Sequence, residues 1–288
     1  MSWTPWKILW RYINTGSHPL FFPLSKSLTG LKSKFGPDCW QLADPVLNPS
    51  VSTEDMSEDC LYLNVFTPAG LATRTKRQGK FGSGSSSSLL PVMLWFHGGA
   101  FQQGGSRRDE YDGRRLAERD IVVVTINYRL GALGFMVSSS DELYGNFGLM
   151  DQRAALDWVK RNIRAFGGDP ENITLFGESA GAVMIGLHLL MDGAGTLFHR
   201  AIMQSNPLGY TFRSVVVADF IGEALKHAVD CRDLACLRAE RVEEIMRAQS
   251  SLMGVPRSVG DFFTWGPTLT KGRKLEISPR SGGGDEAP

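Results

Sequence analysis

Apolar and polar positions follow two periods from Leu61 onward. "LYLNVF" (61–66) alternates every second residue, which predicts a half-buried strand. "VMLWF" (92–96) and "IVVVTINY" (121–128) are unbroken apolar runs, the pattern of strands covered on both faces. Between them, "RRDEYDGRRLAERD" predicts a polar helix. In "DQRAALDWVKRNIRAF" (151–166) the period changes to that of a helix, with Ala155, Trp158, Val159 and Ile163 on one stripe. "GGDP" (167–170) supplies the glycines and proline that stop it. "ITLFG" (173–177) predicts a strand, "AGAVMIGLHLLM" (180–191) a helix, and "RAIMQS" (200–205) another strand. A further helix is expected around "VVADFIGEALKHAV". Buried strands alternating with helices imply an α/β fold with a mostly parallel sheet flanked by helices.

Two stretches fall outside this alternation. "AGLATRTKRQGKFGSGSSSSLLP" is first basic and then rich in Gly and Ser, and offers no apolar face to bury. It reads as a flexible insertion over residues 70–90. "KGRKLEISPRSGGGDEAP" has no pattern and reads as a disordered tail over 271–288.

Composition narrows the picture. With 288 residues, of which 42% are hydrophobic, the chain can bury a large core. A formal net charge of +1 leaves no electrostatic footprint for nucleic acid or an anionic membrane. Arg107, Arg108, Arg114 and Arg115 read as one solvated helix face. No run approaches the roughly 18 apolar residues of a membrane-spanning helix. The opening "MSWTPWKILWRYINTGSHPLFFPL" lacks a continuous apolar region and a small-residue cleavage site, so it is a poor secretory signal. That leaves a cytosolic protein or a start lying further upstream. Four cysteines fall into two sequence-local pairs, Cys39 with Cys60 and Cys231 with Cys236, but four cysteines allow three pairings. None is in a CxxC and no histidine cluster accompanies them, which argues against zinc. Disulfides would fit an oxidising compartment.

The chemistry concentrates at Gly177-Glu178-Ser179-Ala180-Gly181, a G-x-S-x-G between a predicted strand and a predicted helix. In that context the motif forms a strained turn that lifts the serine hydroxyl above the carboxyl edge of the sheet. "FHGGAF" (96–101) follows the buried strand "VMLWF" and supplies a candidate oxyanion loop. Its Gly99 and Ala100 N–H groups, with that of Ala180, are candidate donors to a tetrahedral intermediate. His97 adjoins that loop and is expected to shape it, not to act as the base.

Together with "SEDCLYLNVFTP", "WFHGGAF", "NYRLGALGF", "GNFGLMDQRAALDWVKRNIRAFGGDPENITLFGESAGA" and "LFHRAIMQS", the chain resembles type-B carboxylesterases, the carboxylesterase, cholinesterase and lipase family on the α/β-hydrolase fold. The resemblance runs in order over residues 35–270 and leaves 1–34 as a segment foreign to the family. It implies Ser179 as nucleophile, an oxyanion region of Gly98, Gly99, Ala100 and Ala180, and disulfides Cys39–Cys60 and Cys231–Cys236. It also implies a structural ion pair between Arg129 and Asp151, and no metal or organic cofactor.

The departures matter as much. Family members place an acid and then a histidine after the nucleophile. His188, His199 and His227 follow Ser179, and none has the expected context. Both ends thus read as incomplete, as in a truncated gene model or a splice form. Ser50 stands where choline-ester hydrolases of the family carry a tryptophan, and Trp40 lies at the other end of that loop, which argues against a choline-ester specialist. Asn172-Ile173-Thr174 is a glycosylation sequon expected to remain unmodified, because it starts the strand feeding Ser179. The expectation is a carboxylic ester hydrolase acting on a small-molecule ester through an acyl-enzyme. The alternatives are a catalytically incompetent fragment or interaction remnant, and a serine peptidase on the same fold. By family and cysteine pairs the protein is expected in the secretory pathway.

Overall fold

A computed structural model describes residues 11–14, 35–42, 52–69, 89–206, 212–252 and 264–269. Six strands form its main sheet: β1 (Arg11–Asn14), β2 (Leu63–Thr67), β3 (Leu90–Phe96), β4 (Val122–Ile126), β5 (Gly168–Glu178) and β6 (Arg200–Gln204), in the order β1-β2-β4-β3-β5-β6. All neighbours are parallel except β2 and β4, which run antiparallel. The alternation of strand and helix patterns thus produced the mostly parallel sheet it implied. A mostly parallel sheet with one antiparallel neighbour and helices between its strands is the arrangement that the resemblance to α/β hydrolases implied.

The strands are covered as their apolar runs require. Val92, Leu94, Phe96, Val124, Ile126, Ile173 and Leu175 pack with Ala155, Trp158, Val159 and Ile163 of helix α1 (Phe147–Asn162) and the 3₁₀ turn that follows it. On the other face Phe66, Val123 and Ala117 form a smaller cluster, and Trp95 lies between the rings of Tyr111 and Phe176. Burial of these side chains contributes about 25 cal/mol per Å² of apolar surface, which is the main force setting the layers. Helix α2 (Ala180–Leu190) follows β5 directly, and α3 (Val215–Ala228), α4 (Leu234–Ala239) and α5 (Val242–Leu252) form a second cluster around Phe101, Ile221, Leu225, Ile245 and Trp265. Cys39 bonds to Cys60 and Cys231 to Cys236.

Several boundaries differ from the sequence reading. The polar stretch 107–120 is not one helix: a 3₁₀ turn (Asp109–Tyr111) precedes a single helical turn (Arg114–Ala117). Two contacts restart the backbone. The Asp112 side chain accepts from the Arg114 N–H at 3.0 Å, and a Cβ on Gly113 would come within 2.7 Å of the Phe66 ring. The four arginines therefore do not share a helix face. Arg114 and Arg115 are exposed, whereas Arg107 is drawn inward to Asp38 at 3.0 Å and Asp55 at 2.7 Å.

Gly167, in the left-handed region at φ 78°, stops the α1 segment as expected, but β5 begins at Gly168, five residues before Ile173. Leu90, the last residue of the expected insertion, opens β3. Residues 70–88 of that insertion and the tail 271–288 lie outside the described residues, as does most of 1–34 apart from β1.

Candidate active site

The site lies where the strand order reverses. From β3 the chain moves to β4 on one side, and later to β5 on the other, so the carboxyl ends of β3 and β5 open onto a common crevice. Phe96, the last residue of β3, pairs with Gly177, the next to last of β5, so the loop after β3 and the turn after β5 leave the sheet side by side.

Ser179 occupies that turn, half-buried, with φ 53° and ψ −118°, outside the regions L-residues favour. Three contacts hold it there. Its N–H donates to the Gln204 carbonyl at 3.0 Å, and its own carbonyl accepts from the Val183 N–H at 2.9 Å, the first bond of α2. The flanking glycines let the helix start press against β3: a Cβ on Gly177 would lie 2.7 Å from the Phe96 carbonyl oxygen, and one on Gly181 would overlap it. Strain of this kind costs about 1–3 kcal/mol and persists only where the surroundings over-determine it.

Opposite the serine, Gly98 comes so close that an added Cβ would sit 3.4 Å from the Ser179 Cβ. Gly99, Ala100 and Phe101 then run at φ 112°, 57° and 63°. The Gln102 and Gln103 N–H groups both donate to the Gly99 carbonyl at 3.0 Å, which turns that oxygen inward. Among the described residues no backbone acceptor takes the N–H of Gly99 or Ala100. The Ala180 N–H begins α2 and has no partner within the helix. The dipole of α2 also favours negative charge at that end.

His97 is fully buried and stacked on Tyr128, with ring centroids 4.3 Å apart. Its Nδ1 lies 2.8 Å from the Gly98 carbonyl oxygen, which can only accept, so Nδ1 carries the proton. Burial pushes its imidazole down to about 4, with the Arg108 charge acting the same way. A neutral ring bound to the loop it precedes supports the structural role.

Two more of the described histidines are also held elsewhere. His188 is buried in α2 beside the Gln152 side-chain oxygen at 3.1 Å, and burial lowers its imidazole to about 3. Nδ1 of His199 accepts from the Ile173 N–H at 3.2 Å. His227 is exposed near the end of α3. Among the described residues no histidine is hydrogen-bonded to the Ser179 hydroxyl, and no three metal-ligating side chains converge.

Arg129 forms a two-pronged pair with Asp151: Nε to Oδ2 at 2.7 Å and Nη2 to Oδ1 at 2.7 Å, with the Arg129 N–H on Oδ2 at 3.0 Å. It joins the segment after β4 to the second turn of α1. Loops at the site and beyond it have further braces that their residue types alone did not disclose. The Gln41 amide exchanges two bonds with the Gly104 backbone, and Gln249 Oε1 accepts from the Ala132 N–H at 2.7 Å. The ammonium of Lys226, whose side chain is 3% exposed, lies 2.8 Å from Asp141 and 2.7 Å from Glu223. Only the Glu223–Lys226 spacing on α3 was visible as a helical pair.

Residues 30–281 match the model of the Carboxylesterase family. "Crystal protein" of Dictyostelium discoideum is 42% identical over 224 residues, covering 76% of this chain and 38% of that protein. Acetylcholinesterase of Bungarus fasciatus is 36% identical over 256 residues, covering 80% of this chain and 40% of its own length. A solved PNB esterase is 38% identical with a TM-score of 0.68, covering 82% of this chain and 46% of that one. The chain therefore spans about two fifths of these curated relatives and about half of that solved esterase.

Proposed function

The chain belongs to the carboxylesterase family, and from that premise we propose that it is built for carboxylic ester hydrolysis through an acyl-enzyme on Ser179. The observation that carries this is the Ser179 backbone: an L-residue held at φ 53°, ψ −118° between a strand end and a helix start, facing Gly98. Nothing in packing alone requires a serine in that conformation, whereas a nucleophile that must stand clear of the sheet does. In the mechanism that the family resemblance implies, the Ser179 oxygen attacks the ester carbonyl carbon while its proton passes to a histidine base, a role that none of His97, His188, His199 and His227 is placed to fill here. Negative charge collects on the former carbonyl oxygen, where the N–H groups of Gly99, Ala100 and Ala180 receive it; each such donor is worth about 3–4 kcal/mol. The C–O bond to the alcohol breaks, the alcohol leaves with the proton, and water repeats the sequence to release the acid. The substrate is a small-molecule carboxylic ester. Two disulfides fit an oxidising, secretory environment.

A second reading is favoured by one observation: His97, His188 and His199 are engaged away from Ser179, and His227 is exposed near the end of α3. On that reading the 288-residue polypeptide retains the nucleophile and oxyanion loop without turnover. Loss of a base lowers kcat by about 10⁴–10⁶. Assay of the purified chain with p-nitrophenyl butyrate, against Ser179→Ala, separates the two. Turnover that vanishes in the variant supports the esterase; equal, background rates in both sink it in favour of the second reading.

A further inference from the structure

The loop that faces Ser179 is not held by its own residues alone. Gly104 closes that loop at φ 119°, packed so tightly that a Cβ there would overlap His97. The buried Gln41 side chain, 63 residues earlier, grips the Gly104 peptide from both sides. Its Nε2 donates to the Gly104 carbonyl at 2.8 Å, and its Oε1 accepts from the Gly104 N–H at 2.8 Å. The same Nε2 also donates to the Cys39 carbonyl at 3.1 Å, so the amide is anchored to the Cys39–Cys60 disulfide. Asp38 on the other side of that cysteine adds an ion pair to Arg107. A primary amide donates and accepts from adjacent atoms in a single plane, which matches the N–H and carbonyl that Gly104 presents.

We infer that Gln41 is a positioning residue for the oxyanion loop: its amide fixes the Gly104 end of the loop so that the Gly99 and Ala100 N–H groups stay aimed at the site beside Ser179. This rests on the proposed esterase reading for its catalytic consequence and on the loop geometry alone for its structural one. Donors that stabilise charge appearing only in the transition state affect kcat and leave substrate binding nearly unchanged.

The test uses the full chain with Gln41→Leu, Gln41→Asn and, as a control, Asn146→Ala. Gln41→Asn keeps a buried amide but is one methylene too short to span both bonds. Asn146→Ala loses two backbone bonds of the same kind, to Thr268, away from the loop. Two quantities are read: kcat and KM for p-nitrophenyl butyrate per folded molecule, and amide exchange at Gln102 and Gln103, whose N–H groups bond to Gly99 and not to Gln41. Both Gln41 variants should lower kcat by about 10- to 100-fold, with KM changed less than about threefold, while the control leaves both constants unchanged. Exchange at Gln102 and Gln103 should quicken about tenfold in the Gln41 variants only, the weight of roughly one hydrogen bond. Unaltered exchange there, or the same acceleration in Asn146→Ala, overturns the inference. If the native chain hydrolyses nothing, the esterase reading falls by itself and the exchange result still decides whether Gln41 holds the loop.

Discussion

The Ser179 N–H donates to the Gln204 carbonyl at 3.0 Å, which fastens the serine turn to β6, the last strand of the sheet. Together with the first α2 bond from Val183, this clamps a non-glycine residue in a conformation that costs about 1–3 kcal/mol. The energy that holds the serine upright comes from its neighbours, so the turn should be more stable without the serine.

Ser179→Gly should therefore raise the midpoint of urea unfolding, by about 1 kcal/mol in stability, because glycine enters φ > 0 without a Cβ penalty. The same variant should lose all Ser179-dependent ester turnover. A lowered midpoint would mean that the turn carries no strain.

Gly181→Ala tests the opposite side of the turn. The added methyl would overlap the Phe96 carbonyl oxygen, where backbone of the central strand cannot give way. A loss of about 1–3 kcal/mol is expected by chemical denaturation, larger than for Ala at Gly195, which has open space around it.

Acid should weaken the fold in a defined window. His97 and His188 are neutral and buried, with folded-state values of about 4 and about 3 against 6.5 for the free side chain. Both are depressed, so the stability tied to them is whole above pH 6.5. It falls as the pH drops toward 4, because only the unfolded chain takes up protons there. Each histidine should contribute a slope of about 1.4 kcal/mol per pH unit. Urea unfolding at pH 7, 6 and 5 measures the sum, and His188→Asn should remove one share. A stability that is flat from pH 7 to 5 would contradict the neutral, desolvated placement.

Lys226→Ala should destabilise by about 3 kcal/mol, because it leaves Asp141 facing a site where its cation was buried. The ammonium also donates to Ser138 at 3.1 Å and Ser140 at 2.9 Å, tying α3 to the segment over the α3–α5 cluster. Thermal unfolding of Lys226→Ala, compared with Arg241→Ala on the surface, measures the difference. Equal midpoints would make the cluster dispensable.

Much of this protein was determined locally by its sequence. The apolar runs 92–96 and 121–128 had to be sheltered on both faces, and the stripe through Ala155, Trp158, Val159 and Ile163 had to meet them. A G-x-S-x-G between a strand and a helix likewise carries its own turn geometry, so the strained turn at Ser179 was legible in the sequence. What depends on distant residues was not legible there. The 107–120 segment has a polar helical composition, yet Asp112, Gly113 and the pull of Asp38 and Asp55 on Arg107 break it. Gln41 looks like an ordinary polar residue beside a cysteine until folding brings it to Gly104 across 63 residues. Local periodicity is set by neighbours a few positions apart, which the sequence displays directly. The pairing of a buried amide or ammonium with its partner is set by where the packed sheet and helices carry each backbone, and only the tertiary structure decides that.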